Sequence, residues 1–275
     1  MATTSPGGAK AFSRGFLPLP VIPAPPPEEA LHLGSIEDAY RKEFDATVVA
    51  IPPGAVGLDR TLFYAEGGGQ ESDRGTLVGP GGADFRVVRV ERRGGRTLHY
   101  LAQRGSAHLQ PGDPVHGILD WGRRHTHMRL HTGQHLLSAL LFQQFGIRTL
   151  RARMAGIEGV LELESPLRAP DVLSRLEQEA NERYFSRPVP VRVAFVSPEE
   201  FARRPGRSNA GRLPRGLTQI RLILIEGVDE CPCGGTHVRK TGEVGPVRLL
   251  DPVDPAPGGS RQLNFRLRSG PSTDQ

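Results

Sequence analysis

Cysteine is scarce in this sequence, whose 275 residues include only Cys231 and Cys233. Two cysteines separated by one proline cannot form the disulfide framework that supports small secreted domains. Such a pair is typical of a reducing compartment and of metal chemistry, so we expect a cytoplasmic protein. A hydrophobic content of 37% is enough for a packed core without disulfides.

Long apolar runs are also missing. No stretch approaches the roughly 18 consecutive apolar residues that a helix needs to cross a bilayer. We therefore predict no membrane partner. The length suits two domains or one large domain.

Lysine is also scarce, with only Lys10, Lys42 and Lys240. Arginine supplies the remaining basic side chains, and the net charge of +5 with a pI of about 9.7 favours a polyanionic partner. The guanidinium group suits forked contacts to phosphate. A biased genome would give the same arginine excess, so charge alone leaves the nucleic-acid interpretation open.

Residues 1–32 are rich in proline and glycine, which predicts a disordered tail because such a segment buries too little apolar surface to fold. The tail carries Lys10 and Arg14 and has no acidic residue before Glu28. An organelle transit peptide is therefore an alternative to a plain cytoplasmic location. The proline density argues against an amphipathic presequence.

Residues 33–122 contain short β-rich stretches separated by glycine-rich turns. This regular spacing predicts a small β-barrel domain. The expected strands cover residues 44–51, 62–64, 75–78, 85–90, 97–101 and 115–121.

One of these turns has the sequence Gly67-Gly68-Gly69-Gln70 and leads to Asp73. Consecutive glycines leave backbone N–H groups open to close approach by a ligand. The alternative is a flexible hairpin tip. A phosphate-binding loop is excluded, because the Lys-Ser/Thr pair and the following helix are both missing.

Residues 123–270 begin with apolar positions at helical spacing, which predicts an amphipathic helix. His131 and His135 are one turn apart on that helix, so their rings can reach one metal ion. About a hundred residues later, the segment from Cys231 to His237 offers a thiolate and an imidazole. Two His, one Cys and one further His suit a single Zn²⁺ per chain better than Mg²⁺ or Ca²⁺.

The alternative for the His pair is a surface or packing role, and the helical stripe also includes His127. A zinc peptidase is excluded, because the position after the first His holds Thr132 and not the glutamate that such an enzyme needs as general base.

The rest of this region mixes helix and strand, which predicts an α+β second domain. A helix is expected at residues 171–185, and strands at 154–163, 188–196, 219–225, 247–250 and 263–267. Residues 197–216 carry several arginines. They are interpreted either as a solvated surface loop or as a tract that contacts phosphates.

Together these motifs resemble the editing-domain family of alanyl-tRNA synthetases and its freestanding AlaX-type members. The resemblance covers roughly residues 33–268. It is carried by the HxxxH pair, by the CxxxH pair and by the glycine motif: His131, His135, Cys233, His237 and Gly67 to Gly75. The pattern selects Cys233 over Cys231 and leaves His127 outside the metal site.

The resemblance implies a zinc-dependent hydrolase that removes serine or glycine from wrongly charged tRNA(Ala), acting in trans because no ATP-binding motif is visible. It places tRNA or substrate contacts at Gly67, Gly68, Gly69, Gln70, Asp73 and Arg129. Thr132 and Thr236 are candidate substrate contacts by proximity to the metal ligands, since a polar group that satisfies the serine hydroxyl would discriminate against alanine.

Two other functions remain open at this point. One is a non-catalytic RNA-binding module that zinc merely stabilises, because a closed Cys/His shell is typical of structural zinc. The other is the related threonyl-tRNA editing fold. The glycine motif beside a barrel favours the alanine system.

Overall fold

The computed structural model describes residues 36–102, 108–167, 171–204, 213, 216–250 and 260–268. A closed antiparallel β-barrel is followed by a unit in which two sheets pack against one long helix. The predicted α+β class with an N-terminal barrel is therefore confirmed. The predicted tail, residues 1–32, lies outside the described residues.

The barrel has six strands in the closed order β1-β2-β5-β4-β3-β6. Their bounds are β1 (Glu43–Ala50), β2 (Ala55–Leu58), β3 (Gly75–Val78), β4 (Asp84–Arg93), β5 (Arg96–Leu101) and β6 (Pro114–Leu119). A short helix, α1 (Ile36–Ala39), precedes them. Strand β2 was not predicted from the sequence.

The prediction of a strand at residues 62–64 is wrong. Leu62 and Phe63 are buried in the barrel core, but the backbone there is not paired with a neighbouring strand. The amide of Phe63 donates to Thr61 Oγ1 at 3.0 Å, and the amide of Tyr64 donates to Asp73 Oδ2 at 2.7 Å. Leu62 and Phe63, whose apolar character suggested a strand, are therefore buried by a loop.

The second unit is described by its helices and its two sheets. The helices are α2 (Trp121–Phe145), α3 (Asp171–Glu179) and α4 (Pro198–Ala202), and a π-helical turn at Ala180–Phe185 continues α3. A four-stranded sheet has the order β12-β13-β8-β7, with β7 (Thr149–Ala155), β8 (Glu158–Leu167), β12 (Val247–Leu250) and β13 (Ser260–Leu267). A three-stranded sheet has the order β11-β10-β9, with β9 (Val191–Val196), β10 (Ile220–Ile225) and β11 (Asp229–Pro232).

Two sequence predictions in this unit need correction. The single strand expected at 154–163 is a hairpin of β7 and β8. The region predicted as a loop from residue 197 begins with α4, whose first turn is capped by Ser197 accepting from the amide of Glu200. The predicted domain boundary at 122/123 lies in the first turn of α2 and stays a prediction. The rest of the arginine-rich loop, apart from residues 203, 204, 213 and 216, lies outside the described residues.

Helix α2 is the centre of the second unit. Asp120 caps its N-terminus by accepting from the amide of Arg123, and Gly146 ends it in the left-handed conformation. Every residue from Leu130 to Leu141 is buried, so the prediction of an amphipathic helix is wrong for this stretch. Its polar residues face other parts of the protein and not solvent. No helix in the described part of the chain has the length and apolar character to cross a membrane.

A buried ion pair fixes the start of α2 to the barrel. The guanidinium of Arg124 and the carboxylate of Asp73 are both fully enclosed, with Arg124 Nε 3.0 Å from Asp73 Oδ2. Arg124 also donates to the carbonyl of Ala39 at 2.9 Å and to the carbonyl of Leu62 at 2.5 Å. These contacts satisfy a charge that would otherwise be very costly to bury.

We expect Asp73→Ala to lower the free energy of unfolding by about 3–5 kcal/mol, because it leaves the Arg124 guanidinium buried without its carboxylate. Urea unfolding followed by circular dichroism measures this change. The double variant Asp73→Ala/Arg124→Ala should lose less than the sum of the single losses. Removing the exposed partner Glu158 of Arg266 should change little. Equal effects at both pairs would contradict the role given to Asp73.

The barrel core also holds a neutral histidine. His99 is fully buried, with Nε2 2.8 Å from Thr61 Oγ1 and Nδ1 3.1 Å from the carbonyl of Val56. Burial lowers the pKa of His99 to about 4. The unfolded chain therefore takes up this proton at a higher pH than the folded protein does.

The free energy of unfolding should fall as pH drops from about 6.5 to about 4, with His99 contributing up to about 3 kcal/mol. His99→Gln keeps polar atoms near Thr61 and does not titrate. Its unfolding free energy, measured in urea across this pH range, should fall less steeply than that of the wild type. Identical slopes would show that His99 is already charged in the folded barrel.

Candidate metal centre

Four side chains from distant parts of the chain meet beside α2. Helix α2 supplies His131 and His135, and the loop after β11 supplies Cys233 and His237. One ligand atom from each lies within 4.8 Å of all the others. The predicted juxtaposition of the two histidine and cysteine motifs is therefore present in the fold.

The distances within this cluster suit a tetrahedral metal site. Cys233 Sγ lies 3.3 Å from His131 Nε2 and 3.4 Å from His237 Nε2. Metal–ligand bonds of about 2.0–2.3 Å place neighbouring ligand atoms about 3.3–3.8 Å apart in a tetrahedron. The two spacings around Cys233 are therefore those of ligands that share one metal ion.

Burial keeps the imidazoles in the form that binds metals. His131, His135 and His237 are each 3% exposed or less. Burial lowers the pKa of His131 and of His237 well below the ordinary range, and the other rings of the cluster lower it further. Neutral imidazoles present a free lone pair at neutral pH.

Gln70 of the glycine motif fixes the orientation of His131. Its Oε1 lies 2.8 Å from His131 Nδ1 and accepts the proton there, which leaves Nε2 free to face Cys233. Thr236 holds the Gln70 amide in place, since its backbone N donates to Oε1 at 3.2 Å and its Oγ1 accepts from Nε2 at 2.9 Å. Gln70 is therefore a buried partner of a metal ligand.

Two glycines are required for this contact. Gly69 has φ +82°, and a Cβ there would lie 2.0 Å from the carbonyl oxygen of Ala152 on β7. A Cβ on Gly235 would lie 2.1 Å from Cε1 of His131. Any side chain at either position would push the barrel loop or the cysteine loop away from His131.

Thr132 orients His237 in a similar way. Its Oγ1 lies 3.1 Å from His237 Nδ1 and accepts from the backbone N of Val238 at 3.2 Å. Thr132 and Thr236 are fully buried behind the ligands. The prediction that they touch substrate stays a prediction, and their observed contacts are to His237 and Gln70.

Sequence reasoning missed Arg221 of β10. Its Nη1 donates to the carbonyl of Cys233 at 2.6 Å and to that of Gly235 at 3.2 Å, which holds the cysteine loop against the sheet. Burial lowers the pKa of Arg221, and the nearby Cys233 and Tyr64 groups act in the opposite direction. A guanidinium here favours the thiolate form of Cys233. No local motif marks such an arginine within a hydrophobic strand.

Asp229 was also missed. This buried residue opens β11, and its Oδ2 lies 3.4 Å from Nδ1 of His135. Cys231 is buried on the same strand, and its sulfur, an Asp229 oxygen and a His135 ring nitrogen lie within 4.8 Å of one another. His127 is outside the four-residue cluster, with Nε2 3.7 Å from Glu71.

The remaining predicted contacts occupy different environments. Gly67 and Gly68 are exposed, and Gly67 accepts from the hydroxyl of Tyr64 at 2.8 Å. Asp73 is enclosed with Arg124, so any part it has in substrate binding is indirect. Arg129 Nε donates to the carbonyl of Val244 at 3.0 Å. Their roles toward tRNA stay predictions.

Comparison with known proteins agrees with this architecture. Residues 33–123 match the family described as tRNA synthetases class II (A), and residues 220–264 match the threonyl and alanyl tRNA synthetase second additional domain. The alanyl-tRNA editing protein AlaX-M of Saccharolobus solfataricus is 34% identical over 228 residues, which cover 82% of this chain and 94% of that protein. This chain belongs to the alanyl-tRNA editing protein family.

Longer relatives share the same region. The alanyl-tRNA editing protein Aarsd1 of Mus musculus is 34% identical over 231 residues, which cover 78% of this chain and 53% of that protein. The alanine–tRNA ligase of Methanothrix thermoacetophila is 40% identical over 215 residues, or 77% of this chain and 23% of the ligase. The chain thus spans about half the length of the mouse editing protein.

For this alanyl-tRNA editing family member, we expect Gln70→Ala to weaken metal binding by about 10–100-fold, because His131 loses the acceptor that orients its ring. Competition with a chromogenic chelator measures the affinity. Glu66→Ala, at the exposed start of the same glycine segment, is the matched control and should bind metal as the wild type does. Unchanged affinity in Gln70→Ala would show that His131 is oriented by other contacts.

Proposed function

We propose that this protein hydrolyses the ester bond of tRNA(Ala) that carries serine or glycine, using one zinc ion held by His131, His135, Cys233 and His237. The observation that carries the proposal is the four-residue cluster in a chain whose relatives are named alanyl-tRNA editing proteins. A cytoplasmic location, predicted from the cysteine pair, is part of the proposal.

The donor set supports zinc over other metals. Three imidazoles and one thiolate are borderline to soft ligands, whereas Mg²⁺ and Ca²⁺ require oxygen ligands. The 3.3–3.4 Å spacings fit a four-coordinate shell of zinc dimensions. When bound, zinc would supply Lewis acidity toward the ester carbonyl or an attacking water.

The chain itself controls access to the site. The three histidines are almost fully buried, whereas Cys233 is partly exposed and Gly234 beside it is exposed with open space where a Cβ would stand. Substrate therefore approaches over Cys233 and Gly234. The exposed Gly67 and Gly68 offer bare backbone to the 3′ end of a tRNA, as the glycine motif predicts.

A four-ligand shell leaves no open position for substrate. Zinc held by His131, His135, Cys233 and His237 would act on substrate as a Lewis acid only if this shell opened toward it. Cys233 is the most exposed of the four ligands, and its loop is held mainly by Arg221. The same closed shell is the feature that favours a structural zinc in a non-catalytic RNA-binding module.

We expect the purified zinc-loaded protein to deacylate Ser-tRNA(Ala) or Gly-tRNA(Ala) and to spare Ala-tRNA(Ala). His131→Ala and Cys233→Ala should each lower the rate by at least about 100-fold, because each removes a metal ligand. Release of the radiolabelled amino acid measures the rate. His125→Ala removes a partly exposed ring from the same helix and should retain the wild-type rate.

Zinc binding without cleavage of either charged tRNA would overturn the proposal in favour of the non-catalytic RNA module. Cleavage of Ser-tRNA(Thr) in preference to Ser-tRNA(Ala) would assign the protein to threonyl-type editing. Wild-type rates in both ligand variants would show that the cluster takes no part in hydrolysis.

A further inference from the structure

His135, the second ligand on helix α2, has an outer partner unlike those of the other two histidines. The Nδ1 atoms of His131 and His237 face neutral acceptors, Gln70 Oε1 and Thr132 Oγ1. The Nδ1 of His135 faces a carboxylate oxygen of Asp229 at 3.4 Å. With Nδ1 turned to Asp229, Nε2 is the nitrogen that remains for the metal.

The backbone holds Asp229 in this position firmly. Asp229 pairs with Ile225 at the end of the β10–β11 hairpin, whose three-residue turn includes Gly227 at φ +74°. The amide of Val228 donates to the carbonyl of Ile225 at 2.8 Å. Gln143 of α2 donates from Nε2 to the carbonyl of Val228 at 2.7 Å. The hairpin end is therefore tied to the same helix that carries His135.

The contact between Asp229 and His135 also balances charge at the metal centre. Both side chains are 4% exposed, and a carboxylate at such burial is stabilised by a nearby positive charge or donor. A divalent cation with one thiolate leaves a net charge of +1 within the shell, and the adjacent Arg221 adds another. A carboxylate placed beside Nδ1 of a ligand histidine offsets this charge and makes the imidazole a stronger donor to the metal.

We propose that Asp229 is a positioning residue for the metal centre, which fixes the ring of His135 with Nε2 toward the metal and strengthens its bond to the metal. This inference rests on the metal site of the proposed function. It gives the centre an acidic outer partner, supplied by a hairpin that no sequence motif marks.

The neighbouring Cys231 allows an alternative arrangement, in which Asp229 is a ligand of a second metal ion. Its sulfur, an Asp229 oxygen and a His135 nitrogen are close enough to hold a second cation. His135 would then have to donate from both ring nitrogens and would lose its N–H. The stoichiometry of bound metal separates the two arrangements.

The test compares the full-length wild type with Asp229→Ala and Asp229→Asn. Zinc affinity is measured by chelator competition, and the ligand set by the absorption of the Co²⁺-substituted protein. Asp229→Ala should bind zinc about 10–100-fold more weakly, and Asp229→Asn, which keeps an acceptor oxygen without the charge, should fall between it and the wild type. The thiolate-to-cobalt band should persist in both variants, because Cys233 is untouched.

Glu230→Gln is the matched control. It removes a charge from the next residue of β11, whose carboxylate pairs with Arg204 at 2.9 Å, and should leave zinc affinity unchanged. Unfolding of the metal-free proteins in urea separates a loss of affinity from a loss of fold. If Asp229→Ala does not fold, Asp229→Asn decides the question.

Affinity in both Asp229 variants within about twofold of the wild type, or equal weakening in Glu230→Gln, would overturn the proposal. Two zinc ions in the wild type and one in Asp229→Ala would make Asp229 a ligand of a second ion and would also overturn it. A wild type that binds zinc, shows the Asp229 effect and cleaves neither charged tRNA would refute only the proposed function.

Discussion

The hydrogen bond between Gln70 and His131 is the contact on which the site depends, because it joins the barrel to the metal centre. The barrel loop reaches His131 only because Gly69 packs directly on the backbone of β7. The fully buried Arg124–Asp73 pair fixes the same loop to the start of α2, about two turns before His131. The barrel and the second unit therefore both hold the imidazole of His131 in place. The glycine motif thus has a structural role besides any contact with tRNA.

The four candidate ligands could be predicted because they occur as two short sequence motifs. Two histidines are four residues apart in the helix, and a cysteine and a histidine are four residues apart in the cysteine loop. The barrel could be predicted from regular short strands and glycine turns. The burial of α2 could not, because its polar residues suggest a solvent face, whereas Thr132 contacts the ligand His237 and His135 is itself part of the cluster. The strand expected at 62–64 failed for a related reason: Leu62 and Phe63 are buried by tertiary contacts that the local pattern does not reveal.

Arg221 and Asp229, which support the metal ligands, could not be predicted from the sequence because they lie in elements that carry no ligand motif. Arg221 lies in a strand of branched apolar residues, and Asp229 follows a hairpin turn without any motif. Both are positioned by the β10–β11 pairing, which places the hairpin end beside His135 and the cysteine loop beside Arg221. A three-stranded sheet thus determines the charge around the metal ligands, while the helix determines their spacing.

The reach of Gln70 into the neighbouring unit limits how this protein can be divided. A fragment that starts at α2 would retain all four metal ligands and strands β10 and β11, yet the ring of His131 would lose the Gln70 contact that fixes its orientation. Gene fusion or truncation at that boundary would separate a ligand from its orienting amide. The metal centre of this chain therefore takes its ligands from one half and the amide that orients His131 from the other.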